Sequence, residues 1–160
     1  MDFCSYYNSP IGTLTLVSDG FHLTGLWMEN QNHPEAFHHP ELPLFQTVTA
    51  WLDRYFAGKN PPVESLPLSP AGTEFQHRVW DILLTIPYGR TITYGEIADM
   101  LDPSMSPQAV GGAVGRNPVS IIIPCHRVVG VNRKLTGYAG GLERKKWLLR
   151  HEGWLKEDEK

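Results

Sequence analysis

The sequence predicts two parts of different fold class: an α/β part over residues 1–69 and a mainly α part over residues 70–160 that carries the outline of a helix-turn-helix. Three observations carry this. Residues 12–17 alternate polar and apolar side chains, the period of a half-buried strand. The tract from Asn60 to Pro70 holds four prolines and excludes a helix, so it reads as the linker between the parts. From Thr73 onward, apolar residues recur at helical spacing in short segments with strong start and stop signals.

In the first part, Ser18-Asp19-Gly20 is turn chemistry after the strand, because Asp and Gly tolerate positive φ, and residues 22–28 return as a second strand. Residues 30–43 hold three histidines and three prolines and read as a loop. Residues 44–57 place Phe45, Val48, Trp51, Leu52, Tyr55 and Phe56 at helical spacing and stop before Gly58. Cys4 reads as a strand residue near the terminus.

In the second part, Thr73 caps a helix over residues 74–86, ended by Pro87-Tyr88-Gly89. Thr93 caps a short helix over residues 94–101, with Glu96 completing a capping box. After the turn Asp102-Pro103-Ser104-Met105-Ser106, Pro107 suits the first turn of another helix over residues 107–115. Two short helices joined by a tight turn fit a helix-turn-helix, and they also fit an ordinary helical hairpin, the commoner arrangement. Residues 119–123 read as an apolar strand or extended segment, and residues 142–151 as a final helix with Glu152 at its end.

Composition narrows the classes. Of 160 residues, 41% are apolar and 19% charged, enough to bury a core. The longest apolar run, residues 119–123, is strand-sized and broken by Ser120, which excludes a membrane-spanning helix. The N-terminus shows no basic region followed by an apolar stretch, so no secretory signal is read there. Two cysteines make no disulfide framework and fit two free thiols in a reducing cytoplasm. Net charge is -3, but residues 1–69 hold two cations and seven acids, whereas residues 70–160 hold twelve cations and ten acids. Three of those ten acids are Glu157, Asp158 and Glu159, read as part of a frayed tail. The second part is thus mildly basic, which supports a nucleic-acid partner weakly.

The segment 107–115 contains Gly111, Gly112 and Gly115, each costing roughly 1 kcal/mol relative to alanine inside a helix. Close approach of another surface explains such a cost. A DNA groove and a tight helix crossing are both open explanations. Further on, Pro124-Cys125-His126-Arg127 places a thiol beside cationic or hydrogen-bonding neighbours, a setting that favours the nucleophilic thiolate. A buried structural cysteine is the competing reading. Two features weigh against it: the turn Gly137-Tyr138-Ala139-Gly140-Gly141, suited to a planar ligand, and Glu152, a carboxylate of the kind that orients a general-base histidine.

The ordered set Gly111-Gly112-Ala113, Asn117-Pro118, Pro124-Cys125-His126-Arg127, Gly137-Tyr138-Ala139-Gly140-Gly141 and Trp147-Leu148-Leu149-Arg150-His151-Glu152-Gly153 closely resembles the O6-alkylguanine-DNA alkyltransferases, the methylated-DNA–protein-cysteine methyltransferases. The match runs from Gly72 to Gly153 and includes Phe75-Gln76 and Pro87-Tyr88-Gly89; residues 1–69, opening on Ser9-Pro10-Ile11-Gly12, match more loosely. The resemblance implies a ribonuclease-H-like sheet in the first domain and a winged-helix-like helix-turn-helix in the second. It also implies direct reversal of O6-alkylguanine in double-stranded DNA by a monomer, with no cofactor, metal or membrane.

The implied roles are specific. Cys125 accepts the alkyl group, and neutral His126, oriented by Glu152, takes the Cys125 proton through a water. Asn117 joins the recognition helix to the active-site segment, and Tyr94 donates toward the guanine edge as the leaving base gains charge. The Ala139 N–H bonds O6, the Cys125 and Val128 carbonyls accept from the exocyclic amine, and Tyr138 and Gly140 belong to the pocket wall. Gln108, Ala109, Gly111, Gly112, Ala113 and Arg116 form the minor-groove surface, and Arg127 braces the site. The target base must be flipped out of the duplex, at a cost of a few kcal/mol.

The chain departs from the family at three places. Gln108 stands where members usually carry the arginine that replaces the flipped nucleotide, which predicts slower or weaker flipping. Ser120 stands where some members have a proline lining the alkyl pocket. Some members bind zinc through N-terminal Cys and His, whereas Cys4 is the only cysteine before Cys125, and His33, His38 and His39 read as surface loop histidines. Two rival functions remain. A non-catalytic lesion-sensing relative lacks the cysteine, which is present here. A thiol hydrolase would pair Cys125 with His126, and adjacent residues are poorly placed to do so.

Overall fold

The computed structural model describes residues 1–156 and contains two compact units: Met1–Ala71 together with Pro118–Ile122, and Gly72–Asn117 together with the chain from Ile123 onward. The acidic residues Glu157, Asp158 and Glu159, read above as a frayed tail, lie outside the described residues.

The first unit is built on a four-stranded sheet of β1 (Phe3–Ser9), β2 (Gly12–Ser18), β3 (Leu23–Trp27) and β4 (Phe37–His38), in the order β3-β2-β1-β4. β1 and β2 pair antiparallel from Phe3↔Ser18 to Ser9↔Gly12. The turn between them needs φ +109 at Gly12, a conformation only glycine adopts cheaply. β1 lacks clean alternation in the sequence, and its burial pattern is correspondingly irregular. β4 is two residues long, parallel to β1, and lies inside the tract 30–43 read as loop. The helix α1 (Pro43–Phe56) buries Phe45, Val48, Trp51, Leu52 and Tyr55, the face its spacing predicts.

Two irregular segments extend this unit. The proline-rich tract 60–70 contains a 3-10 turn at Val63–Ser65 and then bridges β3: the Leu23 N–H donates to Pro67 O at 2.8 Å, and the Ser69 N–H donates to Leu23 O at 3.0 Å. It is therefore part of the sheet edge as well as a connector. Residues 118–122 do the same beside Leu26, whose N–H donates to Pro118 O at 2.8 Å and whose carbonyl accepts from the Ser120 N–H at 3.3 Å. The expected strand or extended segment at 119–123 is extended only at Val119, which bridges Leu26, and then turns. It places buried Ile121 at φ +72, a strained position for a β-branched residue costing about 1–3 kcal/mol.

The second unit holds α2 (Glu74–Leu83), β5 (Ile92–Thr93), α3 (Tyr94–Leu101), α4 (Pro107–Gly115), β6 (Val128–Val129) and α5 (Leu142–His151). Thr73 and Gln76 form a reciprocal capping box at the start of α2, and Thr93 and Glu96 form another at α3. α2 stops at Leu83 rather than Ile86, because the Thr85 and Ile86 N–H groups tighten onto Ile82 and Leu83 carbonyls ahead of Pro87. The Trp80 Nε1–H donates to Ala113 O at 2.9 Å, tying α2 to α4. β5 and β6 pair in parallel, Ile92 with Val128 and Thr93 with Val129. This pairing fixes the segment that immediately follows a 3-10 turn at Cys125–Arg127.

Replacing Thr73 with alanine removes the hydroxyl that accepts from the Gln76 N–H at 3.1 Å. Urea denaturation is expected to show a loss of about 1 kcal/mol.

Candidate active site

The second unit converges on one carboxylate. Glu152 is the C-cap of α5, and its side chain is fully buried. Oε2 lies 2.7 Å from His126 Nε2, and Oε1 accepts from Arg127 Nε at 2.8 Å. Arg127 Nη2 adds a second bond to Oε2 at 3.1 Å, making the guanidinium pair bidentate, and the Gly89 N–H donates to Oε1 at 3.1 Å. The third arm of Arg127, Nη1, donates to Ile86 O at 2.8 Å. The turn Pro87-Tyr88-Gly89 thus has a role beyond ending a helix. Gly89 sits at φ +75, and a Cβ there would lie 2.9 Å from Glu152 O. No side chain fits where its N–H must reach the carboxylate.

This arrangement sets the protonation states. Burial alone would raise the Glu152 pKa, but the hydrogen bonds from His126 and Arg127 and the Arg127 charge outweigh it and hold the carboxyl well below its usual range. Burial pushes the His126 pKa below its ordinary 6.5, against the pull of Glu152, so the imidazole is neutral at pH 7. A carboxylate can only accept, so Nε2 carries the imidazole proton. Nδ1, buried and without a protein partner, is then the basic nitrogen.

Cys125 is buried, 4% exposed, and lines a cavity of about 340 Å³ together with Tyr94, Gly111, Val114, Gly115, Asn117 and the 137–139 turn. Burial pushes its thiol pKa up, opposed by hydrogen bonds from Asn117 and Tyr138 and by the Lys145 charge. This corrects the expectation of a ready thiolate: desolvation outweighs the favourable neighbours, and ionisation needs a base. Asn117 Nδ2 donates to Ile123 O at 2.7 Å, linking the residues that flank 118–122.

Other residues singled out in the sequence stand as follows. Tyr94, Asn117, Cys125, Tyr138, Ala139 and Gly111 share the cavity. Val128 and Gly140 are not among its walls; the Val128 carbonyl accepts from Lys145 Nζ at 2.7 Å, and the Gly140 carbonyl from Arg144 Nη1 at 3.1 Å. Ser120 belongs to the first unit, bonded through its N–H to Leu26. On α4, Gln108, Ala109 and Arg116 are exposed, Gly111 and Gly112 half-buried, and Ala113 buried. Gln108 borders a second cleft of about 270 Å³ with Tyr94, Pro107, Gly111, Thr136 and Gly137. Lys145 escaped sequence reading. It is wholly buried in α5, and burial pushes its pKa down to about 8. Nothing in a run of Arg144-Lys145-Lys146 marks the middle cation as the inward one except its helical phase with Leu148 and Leu149.

The glycines of α4 separate the two explanations left open above. A Cβ at Gly111 would meet the Tyr94 ring at 3.8 Å, one at Gly112 the flexible end of Arg116 at 3.3 Å, and one at Gly115 nothing within 4 Å. No neighbouring backbone presses on them, so a tight helix crossing does not account for them.

Two family models cover most of the chain. The 6-O-methylguanine DNA methyltransferase ribonuclease-like domain matches residues 3–70, and the DNA binding domain of the same name matches residues 74–154. The chain belongs to this methyltransferase family. A methylated-DNA–protein-cysteine methyltransferase from Haemophilus influenzae is 45% identical over 153 residues, 94% of this chain and 86% of the relative. One from Mycobacterium tuberculosis is 48% identical over 147 residues, 91% of this chain and 88% of the relative. The crystal structure of Mycobacterium tuberculosis OGT in complex with DNA superposes with a TM-score of 0.87 at 46% identity, covering 94% of this chain and 92% of that one.

The sheet-bearing first unit and helical second unit are the fold of the 6-O-methylguanine DNA methyltransferases. Among the described residues, no helix is long and apolar enough to cross a membrane. No group of three or more His, Cys, Asp or Glu among them is placed to hold a metal. Cys4 Sγ lies 3.7 Å from Ala36 O, His33 Nδ1 3.0 Å from Pro34 O, His39 Nδ1 3.4 Å from Glu41, and His38 is tilted against the Tyr6 ring.

Two measurements check this electrostatic account. Arg127→Met strands a buried carboxylate and is expected to cost about 3–5 kcal/mol in urea denaturation. Adding Glu152→Gln to it should recover part of that loss, giving a double variant more stable than the sum of the singles. His126 and Glu152 both have folded pKa values below their unfolded ones, 6.5 and 4.5, so on acidification the unfolded chain binds more protons. The stability contributed by these two groups is therefore expected to be full above pH 6.5, to fall first as pH drops below it, and to fall again below 4.5.

Proposed function

We propose that this protein repairs O6-alkylguanine in double-stranded DNA by moving the alkyl group from the O6 oxygen to the Cys125 sulfur. The sulfur–carbon bond forms as the carbon–O6 bond breaks. The thiol proton passes toward His126, through a water, and the departing guanine regains a proton. The thioether product is inert, so each molecule acts once. The observation that carries the reading is the arrangement of Cys125 in a cavity of about 340 Å³ with its neighbour His126 held by Glu152 at 2.7 Å. The cavity falls within the range of small-ligand sites.

Buried Cys125 keeps its proton until a base takes it, and neutral His126 with an available Nδ1 is such a base. Protonation of His126 would remove the acceptor, so transfer slows in acid. Tyr94 and the 137–139 turn then recognise the flipped guanine, the Ala139 N–H at O6 and the Tyr94 hydroxyl at the base edge. The exposed face of α4 enters the minor groove, where glycines let the backbone approach the phosphate walls and Gln108 occupies the space of the extruded nucleotide. A reaction on chromosomal DNA by a reduced thiol belongs in the cytoplasm.

The deciding experiment is incubation with duplex DNA carrying labelled methyl at O6, followed by mass spectrometry. One methyl per chain on Cys125 supports repair. Binding without transfer points to a lesion sensor, and catalytic release of label to a hydrolase. Gly112→Ala separates the DNA face from the fold: with only a flexible arginine end at 3.3 Å, it should raise stability by up to about 1 kcal/mol while weakening DNA binding several-fold. Tighter folding with unchanged DNA affinity would remove α4 from the interface.

A further inference from the structure

Tyr94 is the first residue of α3, and its backbone is held by the Thr93–Glu96 capping box and by the β5–β6 pairing. Its phenol is not fixed by those contacts. The phenol oxygen lies 2.9 Å from Thr136 Oγ1, and the two side chains are neighbours along the cleft that joins Gln108 to the walls of the Cys125 cavity. Thr136 is itself anchored twice. Its carbonyl lies 3.5 Å from Lys145 Nζ, whose shorter bond goes to Val128 O, and its methyl packs over Gly130, where an added Cβ would sit 3.2 Å away. A β-branched side chain has few χ1 choices, and these contacts leave its hydroxyl directed at the phenol.

A phenol has one proton to give. If it donates to Thr136, nothing is left for a ligand; if Thr136 donates to it, the phenolic O–H is turned outward and polarised into a better donor. Building on the reading of Tyr94 as donor to the leaving guanine, we propose that Thr136 is the positioning residue that orients the Tyr94 hydroxyl and sets its strength as a donor during alkyl transfer. Thr136 touches no reacting atom and acts only through Tyr94.

The test compares single-turnover methyl transfer from O6-methylguanine duplex by the wild-type chain and by Thr136→Val, Thr136→Ser, Tyr94→Phe and the Tyr94→Phe/Thr136→Val double variant. Affinity for undamaged duplex is measured in parallel. Valine keeps the shape and removes the hydroxyl; serine keeps the hydroxyl. Thr136→Val should transfer roughly five- to tenfold more slowly, the effect of one ordinary hydrogen bond, with DNA affinity unchanged. Thr136→Ser should restore most of the rate, and in the Tyr94→Phe background Thr136→Val should cost nothing further. Wild-type rate in Thr136→Val, no recovery in Thr136→Ser, or a loss that adds fully to that of Tyr94→Phe would each overturn the assignment. A wild-type chain that transfers no methyl would instead sink the repair reading on which this rests.

Discussion

The arrangement depends on a buried carboxylate that stays ionised. Glu152 gives up its water shell at the end of α5, and the bidentate Arg127, the His126 ring and the Gly89 amide compensate it. Those donors come from two separate stretches of the second unit, the turn after α2 and the 3-10 turn at Cys125–Arg127, and meet the carboxylate at the end of α5. The carboxylate therefore does structural and chemical work with the same bonds. Removing any donor leaves charge unsatisfied, and that is why the glycine at 89, with its positive φ, cannot be replaced freely.

The chemical consequence is a division of labour between adjacent residues. Cys125 and His126 are consecutive on a 3-10 turn, and both are almost fully enclosed. Burial acts on them in opposite charge senses: it keeps the thiol protonated and the imidazole neutral. A site at rest with no exposed thiolate is protected from adventitious oxidation and metal capture, and it reacts when a ligand fills the cavity and the proton is relayed. A protein that spends itself on one reaction gains from such restraint.

Much of this was legible in the chain. The capping box at Thr93 and Glu96 and the proline at 107 marked the bounds of α3 and α4 to the residue, because such local signals are stated directly in the sequence. The Cys-His-Arg run with Glu152 announced the reactive centre. What could not be read were features that arise only from tertiary pairing. β4 and the bridge at Leu68 have no pattern of their own and exist because a neighbouring strand offers its edge. The run at 119–123 has strand composition, yet pairs with β3 through a turn that forces Ile121 to positive φ. Lys145 looks like any surface cation until helical phase turns it inward. The glycines of α4 needed coordinates to show that nothing inside the protein demands them.

The central claim is that burial keeps His126 a neutral imidazole while Glu152 holds its proton on Nε2. Nitrogen-15 NMR of the imidazole ring, followed over pH 5 to 8 in the folded protein, tests this most directly. The account predicts a protonated Nε2 and a predominantly unprotonated Nδ1 at pH 7, with the midpoint of Nδ1 protonation below the ordinary 6.5. An imidazolium at pH 7, or a proton resident on Nδ1, would contradict it.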